Sequence, residues 1–396
     1  MAQKKDRGKE KGNNKTIILI ILILIVILLL FFLIKKCPKT KEKVEKPQTT
    51  ATISAETQLY EEIIVKKETP AETKEIIKKE IPQETKITEN KEEIQEVKKQ
   101  EKQEEEEPQL PEASEYELKK IFGDFGEKKV QFNEPCGIAI DRKDHLYIVD
   151  KNNDRVQIMT GEGKYLAEFG KSGNGKCEFY EPVAIAIDKD DNIYVVDKNN
   201  DRVQKLKKDG KYIMEIGKPG SGEGEFYEPY GVAIDSEGNI YVVDKNNNRI
   251  QKFDKEGKYI KEWGEMGQED GQFSEPTGIA IDDEDNIYVV DKKNERIQKF
   301  DKEGRFILKW GKLGAGEGEF YVPCAITVDR EGYVYVTDAQ NNRVQKFTKD
   351  GKFITTFGSP GKGQGEFDNP AGIAVNSKGE VFVVDSNNYR VQKFVK

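Results

Sequence analysis

Residues 229–263 read PYGVAIDSEGNIYVVDKNNNRIQKFDKEGKYIKEW. Four short runs rich in β-branched and aromatic residues stand out in this stretch: Gly231–Asp235, Ile240–Asp244, Arg249–Phe253 and Lys258–Trp263. Between them lie Ser236-Glu-Gly238, Lys245-Asn-Asn-Asn248 and Asp254-Lys-Glu-Gly257. Runs of this length, bounded by Gly, Asn, Asp and Ser clusters, read as antiparallel strands joined by tight turns. The unit then recurs at a fixed period. The aspartate closing each IYVVD-like run is Asp150, Asp197, Asp244, Asp291, Asp338 and Asp385, always 47 residues apart. The proline ahead of each GIAID-like run keeps the same step through Pro135, Pro182, Pro229, Pro276, Pro323 and Pro370.

Six four-stranded units of this length read as the blades of a β-propeller. The nearly unbroken apolar run Ile240-Tyr-Val-Val243 suits a sheet packed on both faces by neighbouring blades. Ala139, Ala186, Ala233, Ala280 and Ala374 on the first strand are expected to relieve crowding near the axis. Ring closure can also be read. Lys396 follows the third strand of the sixth unit, and the segment one period before Lys164–Phe169 is Glu117–Phe122, ELKKIF. That segment is expected to supply the sixth blade's outer strand, which removes an exposed edge and places the incoming chain at the outer rim. The expectation is an all-β, six-bladed propeller of four-stranded antiparallel blades over 116–396. Its blades are 135–170, 182–217, 229–264, 276–311, 323–358 and 370–396, the last closed by 117–122.

The first 115 residues differ in character. A basic tail (1–15) precedes Ile17–Ile34, IILIILILIVILLLFFLI, with Lys15, Lys35 and Lys36 at its borders. As a helix this run spans about 27 Å, close to the hydrocarbon thickness of about 30 Å. It leaves through Leu33-Ile34-Lys35-Lys36-Cys37 without the small residues of a cleavage site, so 16–36 reads as an uncleaved transmembrane signal anchor, with a processed signal peptide as the alternative. Basic residues balance across the two borders, and the positive-inside count is a tie. The commoner arrangement for a single anchor near the start puts the propeller outside, so a single-pass membrane protein with an extracytoplasmic propeller is expected. Residues 37–115 are a low-complexity Lys/Glu-rich stalk, with Pro38, Pro47, Pro70, Pro82, Pro108 and Pro111 and the run Glu104–Glu107. Such a segment buries too little apolar surface to offset its ordering entropy and is expected to be disordered, with a span of about 50 Å.

Composition excludes several classes. The net charge is −8, which lacks the basic excess of a nucleic-acid binder. Cys37, Cys136, Cys177 and Cys324 form no CxxC pair and His145 is the single histidine, so a structural zinc module is not available. No cofactor is expected.

The pattern F-x-x-P-x-G-I-A-V/I-D, then I-Y-V-V-D, then N-x-R-V/I-Q-K-F resembles the NHL repeat, six times over. The resemblance implies the propeller fold and a general binding role without fixing one activity, since NHL propellers occur on membrane kinases, ubiquitin ligases, RNA-binding regulators and a relative of a peptide-amidating lyase. The lyase pattern needs several metal-binding histidines, which His145 alone cannot supply.

Positions shared by all six repeats are best explained as building the ring. Asn153 and its five counterparts are expected to take tight-turn dihedrals, Asp150 and Arg155 to pair, and Phe132 and its counterparts to wedge between blades. A ligand must be read by positions that differ. On the face carrying the loop between second and third strands, Lys151, Asn152, Lys198, Asn199, Lys245, Asn246, Lys292, Lys293 and Tyr389 are expected to be exposed. Nearer the axis the residue after each proline varies, which adds Tyr230 and Thr277. Glu134, Glu181, Glu228 and Glu275 precede their prolines and are weak candidates for a cation at the channel mouth, against Val322 and Asn369, which break the ring. Asp188–Asn192 and Asp282–Asn286 are acidic enough for Ca²⁺, but hairpin turns have the same composition. The reading is a membrane-tethered binding or scaffolding propeller, not an enzyme, that recognises protein, peptide or surface polymer. The alternatives are a channel-mouth hydrolase or lyase, or single-stranded RNA binding by a cytoplasmic propeller.

Overall fold

The computed structural model describes residues 115–396. The segments expected to be a basic tail, a transmembrane anchor over 16–36 and a stalk lie outside the described residues as far as residue 114. Among those described, no helix is long and apolar enough to cross a membrane.

Six four-stranded antiparallel sheets surround one axis. In the third, the strands run Pro229–Ile234, Ile240–Asp244, Arg249–Phe253 and Tyr259–Trp263 from the axis outward. The second strand is buried at every residue, whereas the outer strand alternates half-buried with exposed positions. That contrast explains why one run is continuously apolar and the other, YIKEW, is mixed.

The sixth blade is assembled from both ends of the described chain. Glu117–Phe122 pairs antiparallel with Arg390–Val395, which continues to Val381–Asp385 and Pro370–Val375. Its register carries a bulge between Leu118 and Lys120, opposite Phe394 and Lys393. The third blade has the same irregularity between Lys252 and Phe253, opposite Lys261 and Tyr259. A strand supplied from far away in sequence therefore reproduces the local register to the residue.

Phe132, Phe179, Phe226, Phe273, Phe320 and Phe367 are completely buried. Phe226, for example, lies among Tyr194, Val196, Val203 and Ile216 of one blade and Ile240, Val242 and Phe253 of the next. Gly217, nine residues earlier, holds a φ of +101°, and a Cβ there would stand 2.3 Å from the Phe226 ring. The glycine is thus required both by its backbone and by its neighbour.

The axial crowding falls two residues before the positions where it was expected. Ala233 sits opposite Tyr241 between blades. The tight approach to the axis belongs to Gly231 and Gly372, where a Cβ would meet Thr277 O at 2.4 Å and Cys136 O at 2.1 Å.

The repeat-invariant Asp, Asn, Arg and Gln form one network in each blade. Asp150 accepts hydrogen bonds from Asn133 N, Asn153 Nδ2, Arg155 Nε and Gln157 Nε2. Arg155 Nη2 donates to Lys128 O and Gln131 O, and Asn153 Nδ2 to Gly126 O, all in the loop arriving from the neighbouring blade. The invariant asparagine is therefore a donor within a 3-10 turn, and the left-handed dihedral falls on the next residue, Asp154 at φ +50°. Asp154 Oδ1 in turn accepts Glu181 N of the following blade at 2.9 Å.

On the opposite face, short turns stitch the blades together. Tyr194, Tyr241, Tyr288 and Tyr335 donate to Asp188, Asp235, Asp282 and Asp329. The sixth blade replaces both partners at once, with Asn376 and Phe382. Between the first and second blades, Lys208 Nζ reaches the buried Asp141 at 2.9 Å and Asp191 at 3.0 Å, and His145 Nδ1 stands 3.0 Å from Asp141. Burial raises the Asp141 carboxyl, but the bonds from Lys208, from the His145 and Lys143 amides and from the His145 ring outweigh it and hold the group below the usual carboxylate range. A folded value below the unfolded one means stability present above the unfolded pKa and lost as pH falls through the folded one. The melting-temperature cost of Lys208→Met is accordingly expected to be largest near neutral pH and to shrink in acid, which thermal melts of both proteins at several pH values would check. A cost independent of pH would refute it.

Candidate functional site

The residues following the six prolines converge on the axis. Cys136, Val183, Tyr230, Thr277, Cys324 and Ala371 line a cavity of about 90 Å³, with the next two residues of each inner strand beneath them. Ligand sites for drug-sized molecules are typically about 300–1,000 Å³, so this cavity has room for a few waters only. Its polar groups are also engaged. Thr277 is fully buried and its Oγ1 donates to Cys324 O at 2.9 Å, while Cys136 Sγ contacts Pro182 O at 3.5 Å. Burial pushes the Cys136 thiol up to about 12 and raises that of Cys324. The proximity of Cys324, followed by burial, raises the Tyr230 hydroxyl well above its ordinary value. Thiols held this way stay protonated at neutral pH and are poor nucleophiles.

Around this mouth the turns between second and third strands, 3-10 in the first, second and fourth blades, carry the candidate lysines, and all of these but Lys292 pair with the candidate glutamates. Lys151 Nζ lies 2.8 Å from Glu134, and Lys198 Nζ lies 3.0 Å from Glu181. Lys245 Nζ stands 3.6 Å from both Glu228 and Glu275, and Lys293 also pairs with Glu275. All four glutamates adopt left-handed backbone, φ +47° to +50°. Burial pulls the Lys151 ammonium down, and Glu134 more than offsets this, so its pKa lies above the ordinary value. Lys293, acting against burial, holds the Glu275 carboxyl below the ordinary range. The carboxylates meet lysines instead of converging, and no three His, Cys, Asp or Glu side chains gather at one point among the described residues.

The pairing has a signal in the sequence that single-residue reasoning missed. Glu and Lys stand 17 residues apart in the first four repeats, and the fifth and sixth lose both together, with Val322 and Ala339, then Asn369 and Ser386. One side of the mouth is therefore ionic and the other neutral. The pairing also corrects the expected exposure. Asn152 and Lys293 are exposed, whereas Lys151, Lys198, Asn199, Tyr230, Lys245, Asn246, Lys292 and Tyr389 are half-buried and Thr277 is buried. Tyr389 takes the left-handed position filled by Asp154 in the first blade, and its ring packs against Phe125 with centroids 4.9 Å apart. The acidic segments considered for Ca²⁺ are hairpin turns: Asp188 accepts the Asp190 and Asn192 amides, and Asp282 those of Glu284 and Asn286.

The most exposed apolar groups of this face were not among the sequence candidates. Tyr180, Tyr227 and Tyr321 are about half exposed, and Phe125, Met266 and Leu313 more so. Each tyrosine lies beside a 3-10 turn or its equivalent: Asn199 N donates to Tyr180 O, Asn246 N to Tyr227 O and Gln340 N to Tyr321 O. The signal was present, since this position reads Asn133, Tyr180, Tyr227, Ser274, Tyr321 and Asp368 through the repeats. A large aromatic in a polar turn is unexplained by ring construction.

A family model described as 6-bladed beta-propeller matches residues 128–206, 189–264, 236–301 and 268–344, and one described as NHL repeat matches 367–394. The brain tumor protein of Drosophila melanogaster is 40% identical over 48 residues, which is 12% of this chain and 5% of that protein. Among solved structures, virginiamycin B lyase from Staphylococcus aureus is similar with a TM-score of 0.51 at 17% identity, covering 71% of this chain and all of the lyase. An auxiliary nutrient binding protein from Bacteroides thetaiotaomicron gives a TM-score of 0.53 at 19% identity, over 72% of this chain and 75% of its own. Likeness at these identities carries the fold and no activity.

Proposed function

The chain belongs to the 6-bladed beta-propeller family, and from that premise we propose that it is a binding or scaffolding propeller, tethered to a membrane through residues 17–34 and held off it by the stalk. Its ligand is a protein, a peptide or a surface polymer, bound across the face that carries the 3-10 turns. The observation that carries this reading is the combination on that face of a mouth too small to admit a substrate with a surrounding set of exposed large apolar groups, Phe125, Tyr180, Tyr227, Met266, Leu313 and Tyr321. Aromatic side chains over a polar surround are the residue types that concentrate binding energy. Lysines already paired with glutamates leave little bare positive charge for a phosphate backbone.

Replacing Tyr180, Tyr227 and Tyr321 together by serine is expected to weaken retention of the full chain on immobilised surface polymer or peptide arrays by tenfold or more. Because these side chains are exposed, the melting temperature should hardly change. Unaltered retention would refute the face assignment, and steeply salt-dependent oligonucleotide binding would replace the ligand class by nucleic acid. The tether is tested separately. Protease added to intact cells should cut between residues 37 and 115 and release a resistant propeller, and full protection would place the propeller inside.

A further inference from the structure

A lysine lies over the second-strand tyrosine in four successive blades: Lys205, Lys252, Lys299 and Lys346, half-buried at Lys252 and buried at the other three, each about 5 Å from the ring centroid of Tyr194, Tyr241, Tyr288 or Tyr335. The first three donate across the blade boundary to the carbonyl fifty residues ahead, Lys255 O, Lys302 O and Lys349 O, at 3.3–3.5 Å. Each of them also has an aspartate within 4.0 Å, namely Asp188, Asp235 or Asp282. Those carbonyls belong to the turn between third and fourth strands of the next blade.

For Lys346 the next blade is the sixth, where Tyr116 and Val395–Lys396 stand in place of that turn. Among the described residues, its hydrogen-bond partner is the Tyr116 hydroxyl at 3.2 Å. Tyr335 spends its proton on Asp329 at 3.0 Å, so Tyr116 donates to Tyr335 at 2.9 Å and accepts from Lys346. The relay engages one of three ammonium donors, on a residue only 4% exposed. Burial lowers the Lys346 pKa, which neighbouring acids do not fully counter.

The seam is also the roomier of the two clefts. The cleft between the second and third blades, closed by Lys255 and Glu256, measures about 240 Å³, and its counterpart at the seam measures about 460 Å³. The larger cavity is lined by Lys346, Arg330, Lys378 and Lys396. Of its acids, Asp329 accepts Tyr335 and two amides, Glu380 binds Lys393 at 2.7 Å and Asn376 at 2.6 Å, and Glu331 is exposed.

We propose that this seam cavity is a binding site for a small anionic molecule, whose carboxylate or phosphate group sits on the Lys346 ammonium beneath Arg330 and Lys378. An acceptor supplied there completes the shell that a backbone carbonyl completes in the other blades, and hydrogen bonds to charged groups are the strong ones. The cavity lies on the face opposite the tyrosines, so it stands or falls independently of the proposed ligand face.

Calorimetric titration of the full chain with citrate, and separately with inorganic phosphate, at constant ionic strength tests this. Saturable binding of at least one anion is expected, and which one binds identifies the head group. Lys346→Met should weaken it tenfold or more, whereas Lys299→Met, whose partners are a carbonyl and Asp282, should leave it unchanged. Should Lys346→Met fail to fold, Arg330→Gln at the exposed rim is expected to weaken binding as well. No saturable heat with either anion, or equal affinity in wild type and the Lys346 or Arg330 variant, would overturn the proposal.

Discussion

Asp244→Ala is expected to cost about 3–5 kcal/mol of stability, the range for removing one partner of a buried, hydrogen-bonded ion pair. The carboxylate has no exposed surface and accepts from Tyr227 N at 2.8 Å, Asn247 Nδ2 at 2.9 Å, Arg249 Nε at 2.8 Å and Gln251 Nε2 at 3.2 Å. Alanine leaves all four donors facing a dry void. Arg249 retains Glu262 at 2.8 Å and the carbonyls of Gly222 and Glu225, which keeps the charge compensated but not its Nε. Asp244→Asn keeps the shape and an acceptor but presents an amide to donors, so an intermediate loss is expected. At about 2–4 °C per kcal/mol for a domain of this size, the alanine variant should melt roughly 10 °C lower. Glu256→Ala, on an exposed turn, should stay within about 0.5 kcal/mol. Chemical denaturation of the three variants measures the order. A cost below about 1 kcal/mol for Asp244→Ala would mean that these networks decorate the ring instead of holding its loops.

The reason such a residue was readable as structural, but its role was not, lies in what a repeat reveals. A step of 47 residues fixes strands, blade number and closure, because each depends on a periodicity that side chains on both faces must obey. It cannot say where a side chain's hydrogen bonds go. Asn247 was expected to serve through its backbone freedom, yet it donates to Asp244 and Gly220 O, and Asn248 is the left-handed residue. The candidate lysines show the same limit. Lys151 and Glu134 are each plausible surface charges, and only their 17-residue relation in space makes them a closed pair. The exposed Tyr180, Tyr227 and Tyr321 were hidden for another reason: an aromatic within a regular repeat is first taken for core, and solvent exposure is not a sequence property.

Deleting Glu117–Phe122 from the full chain is expected to have the largest effect of any change considered. It strips the outer strand from Arg390–Val395 and removes Phe122, 7% exposed, from a cluster with Phe132, Phe382, Val384 and Val391. Burial of one Phe alone contributes about 1.5–3 kcal/mol. Losing the strand also detaches Tyr116, which stacks on Phe357 with centroids 4.5 Å apart. A ladder of unpaired amide and carbonyl groups then faces water along a strand that is mostly buried in the closed ring, and such an edge pairs with whatever strand it meets. The deletion should therefore either fail to fold or associate, which light scattering after size-exclusion chromatography would detect. Returning residues 115–122 after Lys396 through a turn with the sequence of Asp254-Lys-Glu-Gly257 should restore a monomer with wild-type melting, since the closing strand already shares the register and bulge of the continuous blades. A deletion that stays monomeric and melts unchanged would show that the ring does not depend on this strand. Failure of the relocated strand to rescue would show that chain direction into the rim, and not pairing alone, makes the closure.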